Sequence, residues 1–536
     1  MLTTSYRPAN ITERQVWQFF IVILVLLQFS ALFVPVLEPD AALYAGISKT
    51  MALRHDYLNL FVDGHDWLDK PHFPFWIAAL SFNIFGIHTW SYKLPAILFL
   101  LLGVWYTWRF ARELYDETVA RWAVCILLTA EHLVLSNNDV RAEPYLTGLI
   151  IAAVYHFYRK QIIPGAIFTA CAIMTKGIFA IVPIGAAIGG HLIFSGQAKE
   201  LLRWRWLLAV ILTAIFTAPE LYALYTQFDL HPEKLVFGRT AVSGLRFFFW
   251  DSQFGRFMNT GPIKGSGDPF FFFHTLLWAF LPWSVMLYAA VIMFIRKWKS
   301  QAEYYCISGA LATFVLFSLS RFQLPHYMNI VFPFFAILTA KYILSLQTEK
   351  GLKFFRTTQY TIIILVAVLG VVIDLLYKPA MHILWLIPAG TLLLLYVLLR
   401  YWMDKTTKQA VFYRSVAISI LLNLYLNTVL YPDMMQYQSG TTAANYLNSA
   451  LPGKAVTMYK AHSYSLEFYA KAPVTVSDTI TGQGIYFTNK EGLATFHKYT
   501  LIKTFPQFWV SKLDLPFVRK ATRAAALEER YLISGY

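Results

Sequence analysis

Two carboxylates stand where the first apolar run of the chain ends. Glu38 and Asp40 directly follow the run that ends at Leu37, and an amphipathic helical stretch begins near Ala41. A carboxylate held between two helices can accept a proton as a general base or stabilise a developing charge. The chemistry expected at this position is the activation of a nucleophile at a membrane surface.

Three more groups of ionisable residues lie near the ends of later apolar runs. They are DGHDWLDKPHF at 63–73, NNDVRAEP at 137–144, and the pair QFGRF at 253–257 with SRFQLPHY at 320–327. One such group alone is usually a solvated helix end. All four groups fall on the same membrane face in the topology below, and two contain both signs of charge, which favours a site.

The first outer loop is rich in residues that could bind a divalent cation, because carboxylates and imidazoles are suitable ligands. Their spacing matches no specific metal site, so a hydrated acidic loop is the preferred interpretation. The sequence sets no requirement for a metal or another cofactor, and a divalent metal is kept as an alternative. The residues are His55, Asp56, Asp63, His65, Asp66, Asp69 and His72.

The elements that position these residues are membrane helices. Hydrophobic residues make up 57% of the 536 and charged residues 14%, whereas a soluble protein has about 25% charged residues. Nearly uncharged windows of about 20 residues, enough to cross a bilayer core, predict a polytopic α-helical membrane protein with about thirteen spans. They are expected at 16–36, 92–110, 119–136, 142–159, 162–174, 177–194, 205–225, 271–294, 302–320, 326–346, 357–376, 381–401 and 411–430.

The net charge of +15 does not require a nucleic-acid partner. With the N-terminus inside, most cations fall in cytoplasmic connections and the short outer ones hold mostly single cations, as the positive-inside rule requires. An odd number of spans places the C-terminus and two long loops, at 38–91 and 226–270, on the periplasmic face. The apolar segment 71–86 is too short to span and is expected to lie at the interface.

The composition changes after Tyr431. Residues 432–536 alternate strand-like runs, at 454–459, 473–477, 484–489 and 501–510, with a helical run at 441–451. This pattern predicts a small outer-face α/β domain. The membrane domain that carries the catalytic loops is then residues 1–431.

Six motifs follow one another between residues 35 and 340. Asp40 precedes Tyr44-Ala45 and a helix that ends at Met51, and D-K-P at 69–71 precedes the aromatic pair 75–76. The others are NNDVRAEP (137–144), MTKGIFAIVP (174–183), QFGRF with PFFFFHTLLWAFLPW (269–283), and SLSRFQLPHYMNIVFPFFAIL (318–338).

In this order the motifs resemble those of family 39 glycosyltransferases. The bacterial aminoarabinose transferases that decorate lipid A are the nearer relatives, and the protein O-mannosyltransferases are more distant. The resemblance implies the GT-C class, whose multi-span enzymes use a sugar on a polyprenyl phosphate as donor at an outward-facing active site. Two departures stand out: Ala41 replaces the second residue of the family's D-E pair, and His72 the second proline of K-P-P.

The resemblance also implies residue roles. Asp40 is the expected general base or electrostatic activator, and Asp139 orients the acceptor or the surroundings of Asp40. A lipid phosphate leaves as a stable anion, so the site needs cations and hydrogen-bond donors, here Lys70, Arg256 and Tyr327. Without the resemblance, a snorkelling lysine and an aromatic-belt tyrosine would explain two of these. The accessory candidates are Glu38, Asp69, Glu143 and His326.

The sequence therefore predicts an inverting hexosyl- or pentosyltransferase of the bacterial inner membrane. It would move a sugar from a polyprenyl-phosphate donor to lipid A or a related envelope glycolipid. A protein O-glycosyltransferase acting on Ser or Thr is the alternative within the class. A transporter or flippase is the alternative from another class, but it would place charges at mid-membrane on broken helices. The expected partners are the donor, a lipid or protein acceptor, and membrane lipids.

Overall fold

The computed structural model describes residues 12–380, 382–402 and 407–536. The first apolar run forms a helix that begins after Thr12, whose hydroxyl accepts a hydrogen bond from the Gln15 amide at 3.4 Å. Such a cap satisfies one of the free amides at a helix start. The helices of the first half are α1 (Glu13–Ser30), α2 (Asp40–Arg54), α3 (Phe73–Phe85), α4 (Thr89–Leu114), α5 (Glu117–Thr129), α6 (Glu131–Leu135), α7 (Glu143–Tyr158), α8 (Ile162–Lys176), α9 (Ile181–Phe194) and α10 (Trp204–Leu224).

Apolar helices continue to the start of the C-terminal segment. Among the described residues, seven helices are long and apolar enough to cross a membrane, and five shorter apolar helices accompany them. Each of the predicted spans overlaps a helix of the structure. The helices of this part are α11 (Gly244–Arg246), α12 (Phe271–Ala279), α13 (Ser284–Arg296), α14 (Tyr305–Leu319), α15 (Phe332–Ser345), α16 (Glu349–Tyr377), α17 (Leu386–Trp402), α18 (Lys408–Tyr425) and α19 (Tyr431–Met434).

The predicted spans at 119–136 and 271–294 are wrong as single helices. The structure divides the first at Ala130, giving α5 and α6, and the second between Ala279 and Ser284, giving α12 and α13. Pro282 lies in the second break. Proline has no amide hydrogen and its ring clashes with the preceding turn, so it interrupts a continuous helix.

Two glycines bring α4 and α7 together. A Cβ atom built on Gly148 would lie 2.1 Å from the carbonyl oxygen of Phe99, and one on Gly103 would lie 3.0 Å from Cα of Gly148. Small residues at such a crossing let helix backbones approach closely in a membrane. The close approach fixes the start of α7, which carries Glu143.

The first outer loop contains a hairpin between α2 and α3, formed by β1 (Phe61–Val62) and β2 (His65–Asp66). The amphipathic helix expected near Ala41 is α2, and the short helix expected at 71–86 is α3. The buried His72 ties the start of α3 to α10: its backbone amide and its Nδ1 lie 2.9 and 3.0 Å from the carboxylate oxygens of Glu220. The loop is thus packed on the bundle.

The C-terminal segment forms a five-stranded mixed sheet with flanking helices. The strands are β3 (Val456–Tyr459), β4 (Val474–Ser477), β5 (Gly484–Asn489), β6 (Tyr499–Gln507) and β7 (Glu528–Gly535), and the helices are α20 (Ser439–Ala450), α21 (Tyr464–Tyr469), α22 (Lys490–Leu493), α23 (Leu515–Val518) and α24 (Lys520–Ala526). The strand order is β4-β3-β5-β7-β6. β3 is parallel to β4 and β5, whereas β7 is antiparallel to β5 and β6. The core of this segment buries Ala444, Leu447, Met458, Phe487 and Leu532.

Ionisable groups inside the bundle are buried with partners. Lys93, in the first turn of α4, donates to the carbonyl oxygens of Ala31 (3.2 Å) and Val34 (2.8 Å) just after α1. Glu131 accepts a hydrogen bond from the side-chain amide of Asn423 at 2.9 Å. Buried charges are tolerated when they are hydrogen-bonded in this way. Lys93 satisfies carbonyl groups that the end of a helix leaves free.

Candidate active site

The ionisable groups picked out from the sequence meet in one cavity of about 150 Å³. Its walls come from the first turn of α2, the segment before α3, the start of α7, the end of α8, and the segments that carry Arg256 and Tyr327. Every one of these elements belongs to a motif found in the sequence. The charged and hydrogen-bonding side chains that line it are Asp40, Tyr44, Asp69, Lys70, Arg141, Glu143, Lys176, Arg256, His326 and Tyr327.

Asp40 is the first residue of α2, where the helix dipole favours a carboxylate. Nη1 of Arg141 lies 2.5 Å from its Oδ2. The same guanidinium donates to Oδ2 of Asp139 through Nη2 at 2.6 Å and through Nε at 3.0 Å. Asp139 therefore reaches Asp40 through Arg141. All three contacts join the guanidinium to a carboxylate, and such charge-assisted contacts are stronger than those between neutral groups.

Arg141 is a site residue that the sequence analysis missed. Burial works against its charge, but the carboxylates of Asp139 and Asp40 raise its pKa above the usual value. Arg141 stays a cation that holds Asp40 in one orientation. The signal was present in NNDVRAEP, where a single cation stands between two acids.

Asp69 bridges two of the predicted phosphate-binding cations. Lys70 Nζ lies 2.6 Å from Oδ2 of Asp69, and Nη2 of Arg256 pairs with Oδ1 of the same carboxylate. Burial lowers the pKa of Lys70 and that of Arg256. Within the part of the chain that the structure describes, Nε of Arg256 is buried without a hydrogen-bond partner. Cations in this condition gain from a bound anion.

Lys176 adds a third cation at the end of α8. It pairs with the buried Glu143 and its Nζ lies 3.7 Å from the ring centre of Tyr327. Nε2 of His326 lies 3.7 Å from the same Glu143 carboxylate. The sequence analysis quoted the motif around Lys176 but did not select this residue.

The backbone angle and the packing at position 177, directly after Lys176, both require a glycine. Gly177 has φ +94°, which side-chain-bearing residues rarely adopt, and a Cβ there would lie 2.2 Å from Nε2 of Gln253. That amide in turn donates to the Lys176 carbonyl oxygen at 3.2 Å. The K-G pair thus lets the segment before Arg256 pack against the end of α8.

Glu38, one of the accessory candidates, lies outside the lining of this cavity. It is buried, and its Oε1 accepts hydrogen bonds from the hydroxyl of Ser463 (2.6 Å) and the backbone amide of Ser465 (2.7 Å). Both partners belong to the C-terminal segment. Glu38 therefore connects the C-terminal segment to the start of α2.

The candidate divalent-metal residues of the first outer loop go to separate partners. Asp66 accepts a hydrogen bond from Lys234 at 2.9 Å, and Asp63 lies 2.9 Å from Nε2 of His462. Asp69 pairs with Lys70 and Arg256. Among the described residues, no three His, Cys, Asp or Glu side chains form a group that could hold a metal ion.

A second cavity, of about 70 Å³, shares six residues with the first: Asp69, Lys70, Lys176, Arg256, Phe322 and Tyr327. Its other walls are largely apolar. The charged centre is thus continuous with a hydrophobic wall, an arrangement suited to a ligand with a polar head and an apolar chain. The apolar lining residues are Leu146, Phe179, Phe257, Phe317, Phe322 and Ile330.

Comparison with known proteins bears out the resemblance. Residues 69–222 match the family described as dolichyl-phosphate-mannose-protein mannosyltransferase. Undecaprenyl phosphate-alpha-4-amino-4-deoxy-L-arabinose arabinosyl transferase 1 of Pseudomonas fluorescens is 25% identical over 333 residues, 59% of this chain and 56% of that protein. The corresponding transferase of Shewanella sediminis is 24% identical over 338 residues, 59% of this chain and 58% of that protein. The match thus spans little more than half the length of these relatives.

The fold matches that of a protein of known structure. The crystal structure of ArnT from Cupriavidus metallidurans bound to undecaprenyl phosphate superposes with a TM-score of 0.75 over 98% of both chains, at 16% sequence identity. The apo structure of the same protein gives a TM-score of 0.72. The chain is therefore a polytopic membrane protein with the GT-C glycosyltransferase fold, related to the family of aminoarabinose transferases and protein mannosyltransferases.

Proposed function

We propose that the protein is an inverting glycosyltransferase that moves a sugar from a polyprenyl-phosphate donor to an acceptor at the outer membrane face. The observation that carries this proposal is the cavity itself. Three partly buried cations, Lys70, Lys176 and Arg256, line this cavity together with Asp40. The solved protein with the same fold is described as bound to undecaprenyl phosphate.

The donor phosphate would bind at the three cations. In the structure they pair with Asp69 and Glu143, so two carboxylates face three cations. A phosphate would share Lys70 and Arg256 with Asp69 and could also use Nε of Arg256. The Tyr327 hydroxyl adds a neutral donor. The apolar wall of the second cavity would contact the first isoprene units.

The acceptor would approach from the Asp40 side. Asp40 takes the proton of the acceptor hydroxyl while the acceptor oxygen forms a bond to the anomeric carbon. The bond from that carbon to the phosphate oxygen breaks, and the polyprenyl phosphate leaves as an anion held by Lys70 and Arg256. One displacement of this kind inverts the anomeric configuration. Arg141 keeps the Asp40 carboxylate aimed at the acceptor.

For the acceptor we favour lipid A or a related envelope glycolipid, with an aminopentose as the sugar. This choice rests on the names of the relatives, which are aminoarabinose transferases. The protein would then lie in the bacterial inner membrane with its cavity facing the periplasm. Transfer to Ser or Thr of a periplasmic protein is the alternative.

Mass spectrometry of a deletion strain tests the proposal. The lipid A fraction and the periplasmic glycoproteins are compared in three strains: the deletion, the deletion with the wild-type gene, and the deletion with the Asp40→Asn gene. We expect the wild-type gene alone to restore a sugar to lipid A. A sugar restored to protein would establish the alternative acceptor, and no change in either fraction would refute the proposed function.

A further inference from the structure

The C-terminal segment contacts α2, the helix that begins with Asp40, through residues 462–470, which we name the docking segment. Its centre is α21. Ser463 and Ser465, at the start of α21, donate to the Glu38 carboxylate. At the other end, Lys49 Nζ donates to the carbonyl oxygens of Glu467 (2.7 Å), Phe468 (3.0 Å) and Ala470 (2.8 Å).

These two contacts hold α21 at both ends with charges of the appropriate sign. The first amides of a helix and its last carbonyls lack partners within the helix. A carboxylate at the start and an ammonium at the end are also the favourable arrangement for the helix dipole. Glu38 stands two residues before α2 and Lys49 lies within it. Both therefore hold α21 against α2, and we name the contacts of Glu38 and Lys49 with α21 the clamp.

More hydrogen bonds fix the chain just before Asp40. The Glu38 amide donates to Oε1 of Gln438 at 3.0 Å, and Nε2 of Gln438 donates to the Val36 carbonyl oxygen at 2.9 Å. The Val36 amide donates to the Tyr469 hydroxyl at 2.8 Å. The amides of Val36 and Glu38 and the carbonyl oxygen of Val36 are thus all hydrogen-bonded to the C-terminal segment.

The burial of these groups makes the clamp specific. Glu38 is 6% exposed, Ser463 4% and Ser465 0%. Burial lowers the pKa of Lys49 to about 8, with Glu467 opposing the shift. Lys49 is therefore mostly charged at pH 7. A buried carboxylate that lost its donors would carry a large desolvation cost, so the contact tolerates only one geometry.

We propose that Glu38 and Lys49 are positioning residues through which the C-terminal segment sets the place of Asp40 in the cavity. This inference rests on the proposed transferase function. Asp40 is then held from two directions: its backbone by the docking segment, through the residue pair before α2, and its carboxylate by Arg141. The clamp should leave the phosphate site of Lys70 and Arg256 in place, because the ion pairs of both residues are made with Asp69 and not with the docking segment.

Four variants test the clamp: Glu38→Gln, Lys49→Met, the double variant, and Lys49→Arg. We expect the first two to lower kcat by about 10- to 100-fold, since a small misplacement of a catalytic group costs about that much. The affinity for undecaprenyl phosphate stays at the wild-type value. The double variant loses little more than the worse single variant, because both residues act on one helix. Lys49→Arg retains most of the activity.

The matched control is the exposed ion pair of Lys460 and Glu491, 2.8 Å apart and inside the C-terminal segment. Lys460→Met and Glu491→Gln are expected to keep wild-type kcat. Hydrogen exchange followed by mass spectrometry gives a readout that does not need turnover. Peptides covering 34–50 and 462–470 should exchange faster in Glu38→Gln and Lys49→Met, and peptides covering 65–75 should not.

The outcomes separate the inference from the proposed function. A wild-type protein that transfers no sugar refutes the function. An active wild-type protein with Glu38→Gln and Lys49→Met variants of equal kcat and unchanged exchange refutes the clamp. Loss of undecaprenyl phosphate binding together with kcat would also refute it, because that result indicates general unfolding and not the displacement of Asp40.

Discussion

At the scale of single residues, the cavity is a set of paired charges. Arg141 joins Asp40 to Asp139, Asp69 joins Lys70 to Arg256, and Lys176 pairs with Glu143. The sequence motifs identified most of these residues because each stands at the end of an apolar run. Arg141 and Lys176 were missed because a charge beside a helix end has a simple solvated explanation, and only the packing brings them into the cavity.

Asp40→Asn keeps the shape and the hydrogen-bonding reach of the side chain but removes its charge and its basicity. Loss of general-base catalysis typically costs about 10²–10⁴-fold in rate. We expect the variant to insert normally and to bind undecaprenyl phosphate, with transfer reduced by that factor. Steady-state kinetics in nanodiscs measures the rate. Glu38→Gln should lose only about 10- to 100-fold, as expected from displacing Asp40, and a larger loss in Glu38→Gln than in Asp40→Asn would mean that the wrong carboxylate was assigned as base.

Lys70→Ala and Arg256→Ala should each weaken the binding of undecaprenyl phosphate. Each removes a hydrogen bond to a charged group, worth about 1.5–3 kcal/mol. Calorimetric titration with the lipid measures the dissociation constant. Lys234→Ala is the matched control, because Lys234 pairs with Asp66 at 2.9 Å outside the cavity. Equal affinities of all three variants would show that the phosphate binds elsewhere.

Lys49 also makes stability depend on pH. Its pKa is lowered by burial to about 8 in the folded protein, against an unfolded value of about 10.4. The unfolded chain therefore binds more protons between these values, so the free energy of unfolding rises as the pH rises from 8 to 10. Glu467, on α21, is the acid that opposes the shift.

Arginine keeps its charge across this range, so Lys49→Arg lacks the effect. The melting temperature of the wild type relative to this variant should increase between pH 8 and pH 10 in scanning fluorimetry. A constant difference would show that Lys49 is not buried as the structure has it.

At the scale of elements, apolar windows and motif order predicted most helices of the bundle, together with α2, α3, α20 and three of the five strands at close to their observed bounds. β7 was missed because it begins with three charged residues, Glu528, Glu529 and Arg530, and only pairing with β5 and β6 makes this run a strand. The break at Pro282 was missed because a long apolar run outweighed one proline. The docking of α21 on α2 could not be predicted either, since it joins residues about 420 positions apart.

Gly148→Ala tests the crossing of α4 and α7. The added Cβ would lie 2.1 Å from the Phe99 carbonyl oxygen, so the two helices must separate. Overpacking of this kind costs about 1–3 kcal/mol, and the melting temperature should fall. Gly189→Ala, on α9, is the control, because nothing lies within 4 Å of its added Cβ. If the two variants unfold at the same temperature, the helices do not cross as closely as described.

At the scale of the whole molecule, the clamp and the cavity lie at the same end of α1. Glu38 follows the first span directly and bonds to Ser463, so the C-terminal segment must lie on the side of the membrane where α1 ends. This conclusion does not depend on the number of spans between them. The sequence reached the same side by counting spans, an independent argument. Agreement between the two supports one membrane face that holds the charged cavity with Asp40 and the sheet.

The distribution of Lys and Arg then predicts which side that is. Because the basic connections are expected in the cytoplasm, alkaline phosphatase fused after Tyr536 should be active, as should a fusion after Leu58 in the first outer loop. A fusion after Lys299, in a connection predicted to be cytoplasmic, should be inactive. If the fusions after Leu58 and Tyr536 are inactive and the fusion after Lys299 is active, the protein has the opposite orientation in the membrane. Opposite results at Leu58 and Tyr536 would contradict the Glu38–Ser463 contact, because that hydrogen bond requires the first outer loop and the C-terminal segment to lie on the same side of the membrane.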